Sequence, residues 1–267
     1  QEIRRQLSEF SAHGVYGVVL HPRMGLSRRI GYLSPLFFRY LRTAVKTAEE
    51  LGMTVVLYDE GMYPSGSACG QIVREKPALA SRGIVWDTEA RPGDTVLCET
   101  SSGLLIERFS GGTIRGIHYG EDDGEPDAPP SADILNPEAV SSFIRLTHEA
   151  YARELGPWFG NTILGFFTDE PSILGRNAPE GMQPWTRGFA DIFQQAGGRL
   201  EGLEGLFTGQ ENPDTALYRR LILDRESEVY YGALSRWCEA HGLFLMGHPH
   251  QSDDIEVLRH FQIPGQD

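Results

Sequence analysis

Gly165-Phe166-Phe167-Thr168-Asp169-Glu170-Pro171 is an apolar run that ends in two adjacent carboxylates and then a proline. With Ile163 and Leu164 ahead of it, the run has apolar side chains for both faces of a strand, as an all-parallel sheet requires. Pro171 has no N–H to give to a ladder, so Asp169 and Glu170 fall at the strand's carboxyl end. Parallel α/β proteins gather their chemistry at such ends.

The same pattern recurs along the chain. Val15–Leu20 runs into His21-Pro22-Arg23, Thr54–Tyr58 runs into Asp59-Glu60-Gly61, and Leu243–Met246 runs into Gly247-His248-Pro249-His250. Helical periodicity lies between these strands. One helix is expected over roughly Pro35 to Leu51, with Phe37, Phe38, Leu41, Val45 and Ala48 on one face and Gly52 closing it. A second runs from about Pro137 to Leu155, with Asn136 as N-cap and Pro137 at the first helical position. A third spans about Thr215 to His241 and ends at Gly242. Strand alternating with helix is the signature of a parallel sheet built from crossovers.

With 267 residues and 40% hydrophobic content, the chain can bury a large core. A net charge of -13 and the absence of a Lys/Arg block argue against a nucleic-acid partner. No apolar run approaches the roughly 20 residues of a membrane span, and no leader pattern precedes residue 1, which points to a cytoplasmic, soluble protein. Cys69, Cys98 and Cys238 lack CxxC spacing, so neither a disulfide framework nor a zinc knuckle is expected. From Glu75 to Ala132 the alternation breaks into short β-rich pieces with Pro92-Gly93 and Gly111-Gly112 turns. Residues 75–132 therefore read as an inserted antiparallel β subdomain between strand-helix units at 1–74 and 133–267. The insertion's acidic end, Gly120 to Pro130, reads as a solvated loop, and a second loop is expected over about Gly175 to Trp185.

Four motifs together carry a family resemblance: His21-Pro22-Arg23, Leu57-Tyr58-Asp59-Glu60 followed by Tyr63-Pro64-Ser65-Gly66-Ser67-Ala68, the Gly165–Pro171 run, and Gly247-His248-Pro249. The chain resembles the catalytic (β/α)8 barrel of large glycoside hydrolases of the α-L-rhamnosidase type and their uncharacterised relatives. The resemblance extends over most of the chain outside the insertion. It implies a TIM-type barrel that is incomplete here, with one strand before residue 1 and about three after residue 267. Its remaining wall would come from the rest of a longer protein or from a second copy. The implied activity is glycosidase chemistry on a carbohydrate substrate, with no required cofactor, although calcium is a family possibility.

Glycoside hydrolysis takes two carboxyl groups flanking the scissile bond, about 5 Å apart for retention and about 6.5–9.5 Å for inversion. By resemblance Glu170, at the end of the fourth strand, is the candidate general acid, with Asp169 beside it. Asp59 and Glu60 are the candidates for the second carboxylate. Neighbours on a strand point to opposite faces, so at most one of these two faces the barrel axis. His21, Arg23, His248 and His250 stand at strand ends as candidate sugar-hydroxyl partners, Tyr63 and Trp185 as stacking platforms, and Ser65 as a ligand contact in a Gly-rich turn. His248, His250, Asp253, Asp254, Asp59 and Asp169 offer mixed metal donors, but no strong zinc signature is present and no metal is assigned. The competing readings are a non-catalytic carbohydrate-binding or scaffold barrel fragment, and a metal-dependent hydrolase of another substrate.

Overall fold

Phe166 and Phe167 point to opposite sides of the same strand, and the two sides become the two functional layers of the molecule. Phe166 is fully buried against the helices, edge-on to Tyr151 and Trp237. Phe167 stacks on Tyr58 and meets His248 on the other side. The computed structural model describes residues 1–22, 26–116, 128–251 and 253–266. Arg23 and most of the acidic run, 120–127, lie outside the described residues.

In chain order the elements are α1 (Glu2–Ala12), β1 (Gly17–Leu20), α2 (Pro35–Glu50), β2 (Thr54–Tyr58), α3 (Gln71–Glu75), β3 (Arg82–Asp87), β4 (Thr95–Thr100), β5 (Gly103–Phe109), α4 (Pro137–Phe143), α5 (Glu149–Leu155), β6 (Ile163–Asp169), β7 (Gln183–Trp185), α6 (Phe189–Gln195), α7 (Gly205–Thr208), α8 (Pro213–Glu226), α9 (Gly232–Ala240), β8 (Phe244–His248) and β9 (Ile263–Pro264). Strands β1-β2-β6-β8-β9 form one sheet in sequence order, and each of its pairings is parallel. Sequential parallel order is that of a barrel wall. Among the described residues β1 and β9 do not pair with each other, so the sheet is five-stranded and does not close.

The helices form where their caps and apolar spacing direct. Ser34 accepts from the Phe37 amide with Pro35 at N1, and Phe37, Phe38, Leu41, Ala44, Val45 and Ala48 make the buried face of α2. Asn136 caps α4 by accepting from the Glu138 amide. Asn212-Pro213 repeats that grammar and starts α8 two residues before the expected Thr215, with a full capping box. The two long helices are each interrupted by a π turn, at Ile144–His148 and Ser227–Tyr231. Gly247 is required where β8 meets β6: its φ is 129°, and a Cβ there would stand 1.9 Å from the Thr168 carbonyl oxygen. No helix among the described residues is long and apolar enough to cross a membrane.

The insertion forms the antiparallel strands expected of it, in the order β4-β5-β3-β7. The fourth strand is Gln183–Trp185, from the segment expected to be a loop, paired Arg82↔Trp185 with β3. The sheet's core is also shared: Ile84 and Leu105 pack with Trp185, Phe189, Phe193, Leu203 and Tyr218. Trp185 is completely buried there, and its indole N–H donates to Glu107 Oε2 at 3.2 Å. This corrects its assignment as a sugar platform, since neither ring face is open to a ligand.

Candidate active site

Strands β2, β6 and β8 run side by side with Tyr58 level with Phe167 and Asp169 level with His248. Their carboxyl ends therefore deliver Tyr58, Asp169 and His248 to one place. Tyr58 is sandwiched: the His21 ring stacks on it at 3.5 Å between centroids, and Phe167 stacks at 6.0 Å. Its hydroxyl donates to Asp169 Oδ2 at 2.5 Å. Burial and the charge of Asp169 push the phenol well above its ordinary pKa, so it remains a donor at neutral pH.

Glu170 joins the same cluster because the strand's alternation fails just past its end. Its φ is 41°, in the left-handed region, which costs a non-glycine residue about 1–3 kcal/mol. That backbone turn returns its carboxyl to the side occupied by Asp169. His248 sits between the two acids, Nε2 3.4 Å from Asp169 Oδ1 and Nδ1 3.6 Å from Glu170 Oε1. The Tyr63 hydroxyl donates to Glu170 Oε2. Burial and that bond raise the Tyr63 phenol's pKa.

A cavity of about 290 Å³ opens over this cluster, lined by His21, Met62, Tyr63, Arg115, Asp169, Glu170 and Arg176. The arginines arrive on the insertion and on the loop after β6. Arg115 N–H donates to the Tyr63 carbonyl at 2.7 Å, and Thr113 and Arg176 exchange backbone bonds of 2.9 and 2.8 Å. Both guanidinium groups stand over the Tyr63 ring, at 5.7 and 5.2 Å from its centroid. The insertion is thus stitched to the strand-end loops at the point where it supplies cationic donors.

Asp59, Glu60 and Ser65 lie beneath this surface. Both acids are completely buried. Glu60 Oε1 accepts from the Gly61 amide at 2.6 Å and from the Cys69 amide, and Oε2 accepts from the Ser67 amide at 2.7 Å. Burial raises its pKa to about 7, opposed by those backbone donors. Glu60 is therefore the anchor of its own loop, which corrects its assignment as a catalytic carboxylate. Asp59 Oδ1 accepts from Ser65 Oγ at 2.6 Å, while Ser65 Oγ accepts from the Asp169 amide at 2.8 Å and Ser65 N–H donates to the Asp169 carbonyl at 2.9 Å. Both residues hold Asp169 from below and offer nothing to the cavity. Asp59 Oδ2 stands 4.0 Å from His148 Nε2, also fully buried. Burial pushes the carboxyl up and takes the imidazole down to about 3, which moves each partner toward its neutral form. His250 is exposed and lines a different cavity, with Glu226 and Asp254.

The sequence matches no family model, and no curated protein matches it. Solved structures do match. A rhamnosidase from Novosphingobium sp. PP1Y superposes with a TM-score of 0.63 at 11% identity, over 97% of this chain and 46% of that one. A β-galactosidase from Halorubrum lacusprofundi gives 0.54 at 13%, over 98% and 37%, and one from Rahnella sp. R3 gives 0.53 at 10%, over 98% and 36%. These structural neighbours are glycoside hydrolases. The chain has a glycoside-hydrolase-like fold and spans less than half the length of each of them.

Of the residues singled out in the sequence, Asp169, Glu170, His21, Tyr63 and His248 come together at the site. Tyr58, Arg115 and Arg176 are the additions. Strand alternation held the clue to Tyr58, because the residue next to a buried Asp59 must face the other way. Arg115 and Arg176 had no local signal: their placement follows from backbone pairing between segments far apart in the chain.

Proposed function

We propose that this cluster is the catalytic centre of a glycoside hydrolase, with Glu170 as general acid. The observation that carries the proposal is the convergence of Asp169 and Glu170 on one cavity rimmed by hydrogen-bond donors, at the carboxyl end of a parallel sheet. Glu170 delivers its proton to the glycosidic oxygen as the C–O bond breaks, then takes one from the attacking water. Asp169, held by Tyr58, keeps its charge and stabilises the positive charge developing on the ring carbon. One oxygen of each acid lies within 4.8 Å of the other, closer than the roughly 6.5–9.5 Å that leaves room for an inverting water. Asp169 is accordingly an electrostatic partner and not the base of an inverting pair. Arg115, Arg176 and His21 hold sugar hydroxyls. The rhamnosidase neighbour makes aryl α-L-rhamnosides the first substrates to try, ahead of β-galactosides. The outer edges of β1 and β9 are where further barrel strands add, from a longer polypeptide or a second copy.

The test is hydrolysis of an aryl-glycoside panel by the wild type and by Glu170→Gln. The variant is expected to lose about 10³-fold in kcat while still binding the sugar, in line with removal of a general acid. Retained turnover in Glu170→Gln overturns the proposal.

A second reading has its own observation. Among the described residues Asp169, Glu170 and His248 are the group able to ligate a metal together. Two carboxylates and an imidazole suit zinc or manganese better than the calcium the family resemblance implies, because calcium favours an all-oxygen shell. Activity abolished by a chelator and restored by Zn²⁺ or Mn²⁺ favours a metal-dependent hydrolase.

A further inference from the structure

The segment Pro171–Gly175, which follows the candidate active site in the chain, contributes to two further cavities, of about 430 and 210 Å³. Both are lined by Ile173, Pro184, Glu226 and Asp254. The larger one adds His250. Glu226 comes from the end of α8 and is only 6% exposed, so what its carboxyl meets is these cavities. Among the described residues no hydrogen bond reaches that carboxyl. Asp254, in the connection after β8, lines both cavities with it and repels its charge. A carboxyl left nine-tenths buried without a donor is costly unless something fills the role.

We infer that the space between Glu226 and Asp254 is a binding site for an organic ammonium group, carried on an apolar or sugar skeleton. Opposed carboxyls supply the counter-charge, and Ile173, Pro184 and neighbouring prolines supply walls for carbon. A bare divalent ion fits less well, because Glu226, Asp254 and His250 do not bring their donor atoms together as Asp169, Glu170 and His248 do. The site stands independently of the glycosidase proposal and can be tested without any substrate.

Burial, reinforced by Asp254, raises the Glu226 pKa to about 8, so at neutral pH it mostly holds a proton that an arriving cation displaces. The groups that face Glu226 are Asp254 and His250 across the cavity, Tyr231 on the adjoining π turn, and Arg219, whose guanidinium is already bonded to Glu211. Asp254 is itself raised by burial and Asp253, with His250 opposing. Occupation is therefore expected to strengthen as pH rises from 6.5 to 8.5, by about tenfold or more, and to release a proton at the lower pH.

The experiment titrates n-pentylammonium into the protein by calorimetry, with 1-pentanol and Ca²⁺ as comparison ligands, following proton release in weakly buffered solution. The expected result is ammonium binding at least about tenfold tighter than pentanol, lost by about tenfold in Glu226→Gln and in Asp254→Asn. Glu226→Gln is nearly isosteric with the protonated acid, and thermal melts of both variants check that folding is intact. Pentanol binding as well as the ammonium, unchanged affinity in both variants, or binding of Ca²⁺ alone overturns the inference.

Discussion

Two Asp-Glu pairs end two neighbouring strands of the same sheet, and they have opposite fates. Asp59-Glu60 after β2 is sealed in the interior, while Asp169-Glu170 after β6 opens on a cavity. The residues next in the chain decide the outcome for each pair. After Glu60 comes Gly61 and a turn whose amides at Gly61, Ser67 and Cys69 all point at the carboxylate. After Glu170 comes Pro171, which has no amide to give, and the Glu170 backbone turns left-handed instead. A carboxylate surrounded by backbone donors becomes a structural anchor; one left without them stays available for a ligand.

The largest break in this comparison comes from exchanging charge for amide in the open pair. Glu170→Gln is expected to lower kcat by about 10³-fold, equivalent to about 4 kcal/mol, with the melting temperature little changed. The same substitution in the sealed pair works in reverse. Glu60→Gln turns an NH₂ toward amides that need an acceptor and should cost about 2–3 kcal/mol of stability, read from denaturant midpoints. If Glu60→Gln abolished turnover in a protein of unchanged stability, the two pairs would not differ as described.

The sealed pair also carries a pH signature. Glu60 has a folded pKa of about 7, above its ordinary value of 4.5, so the folded state binds the extra proton. Its contribution is complete below about pH 4.5 and is lost as pH rises through 7. Asp133 at about 7 and Glu226 at about 8 act in the same direction, each because of burial. Stability is expected to decline from pH 6.5 to pH 8 by a few kcal/mol in all, with His148, whose pKa burial depresses, opposing the trend only below pH 6.5, and with a shallower decline in Glu60→Gln. A stability maximum at pH 8 would contradict this assignment of buried, protonated acids.

The parallel strands are legible in the sequence because each is a run of apolar residues ending in polar ones, and the expected spans agree with β1, β2, β6 and β8 to within about two residues. Helix starts are legible wherever a cap precedes proline, as at Asn136, and the same signal at Asn212 fixes the start of α8. The burial of Trp185 is hidden because a three-residue strand with Pro184 at its centre has no periodicity, and it depends on pairing with β3, far away in the chain. The structural role of Glu60 is hidden because composition marks a carboxylate without marking the amides that occupy it. Register between distant segments, which brings Arg115 and Arg176 to Tyr63, leaves no trace in local pattern.

Ser65 is where the two pairs touch, and it gives the smallest and most discriminating prediction. Its hydroxyl donates to Asp59 in the sealed pair and accepts from the Asp169 amide in the open one. Ser65→Ala removes both bonds, leaving a buried carboxyl oxygen without its donor and a strand-end amide without its acceptor. If the sealed pair serves to fix the open one, Asp169 should loosen against Tyr58 and His248, and kcat should fall by about tenfold with KM nearly constant. Stability alone does not distinguish this from ordinary core damage, because either would lower the melting temperature. The separating measurement is kcat against KM, compared with Ser67→Ala, which removes a buried hydroxyl bonded to the Ala132 amide but not to Asp169. Equal losses in the two variants would mean that Ser65 stabilises the loop and nothing more. A kcat loss confined to Ser65→Ala would make the sealed pair a positioning device for the open one.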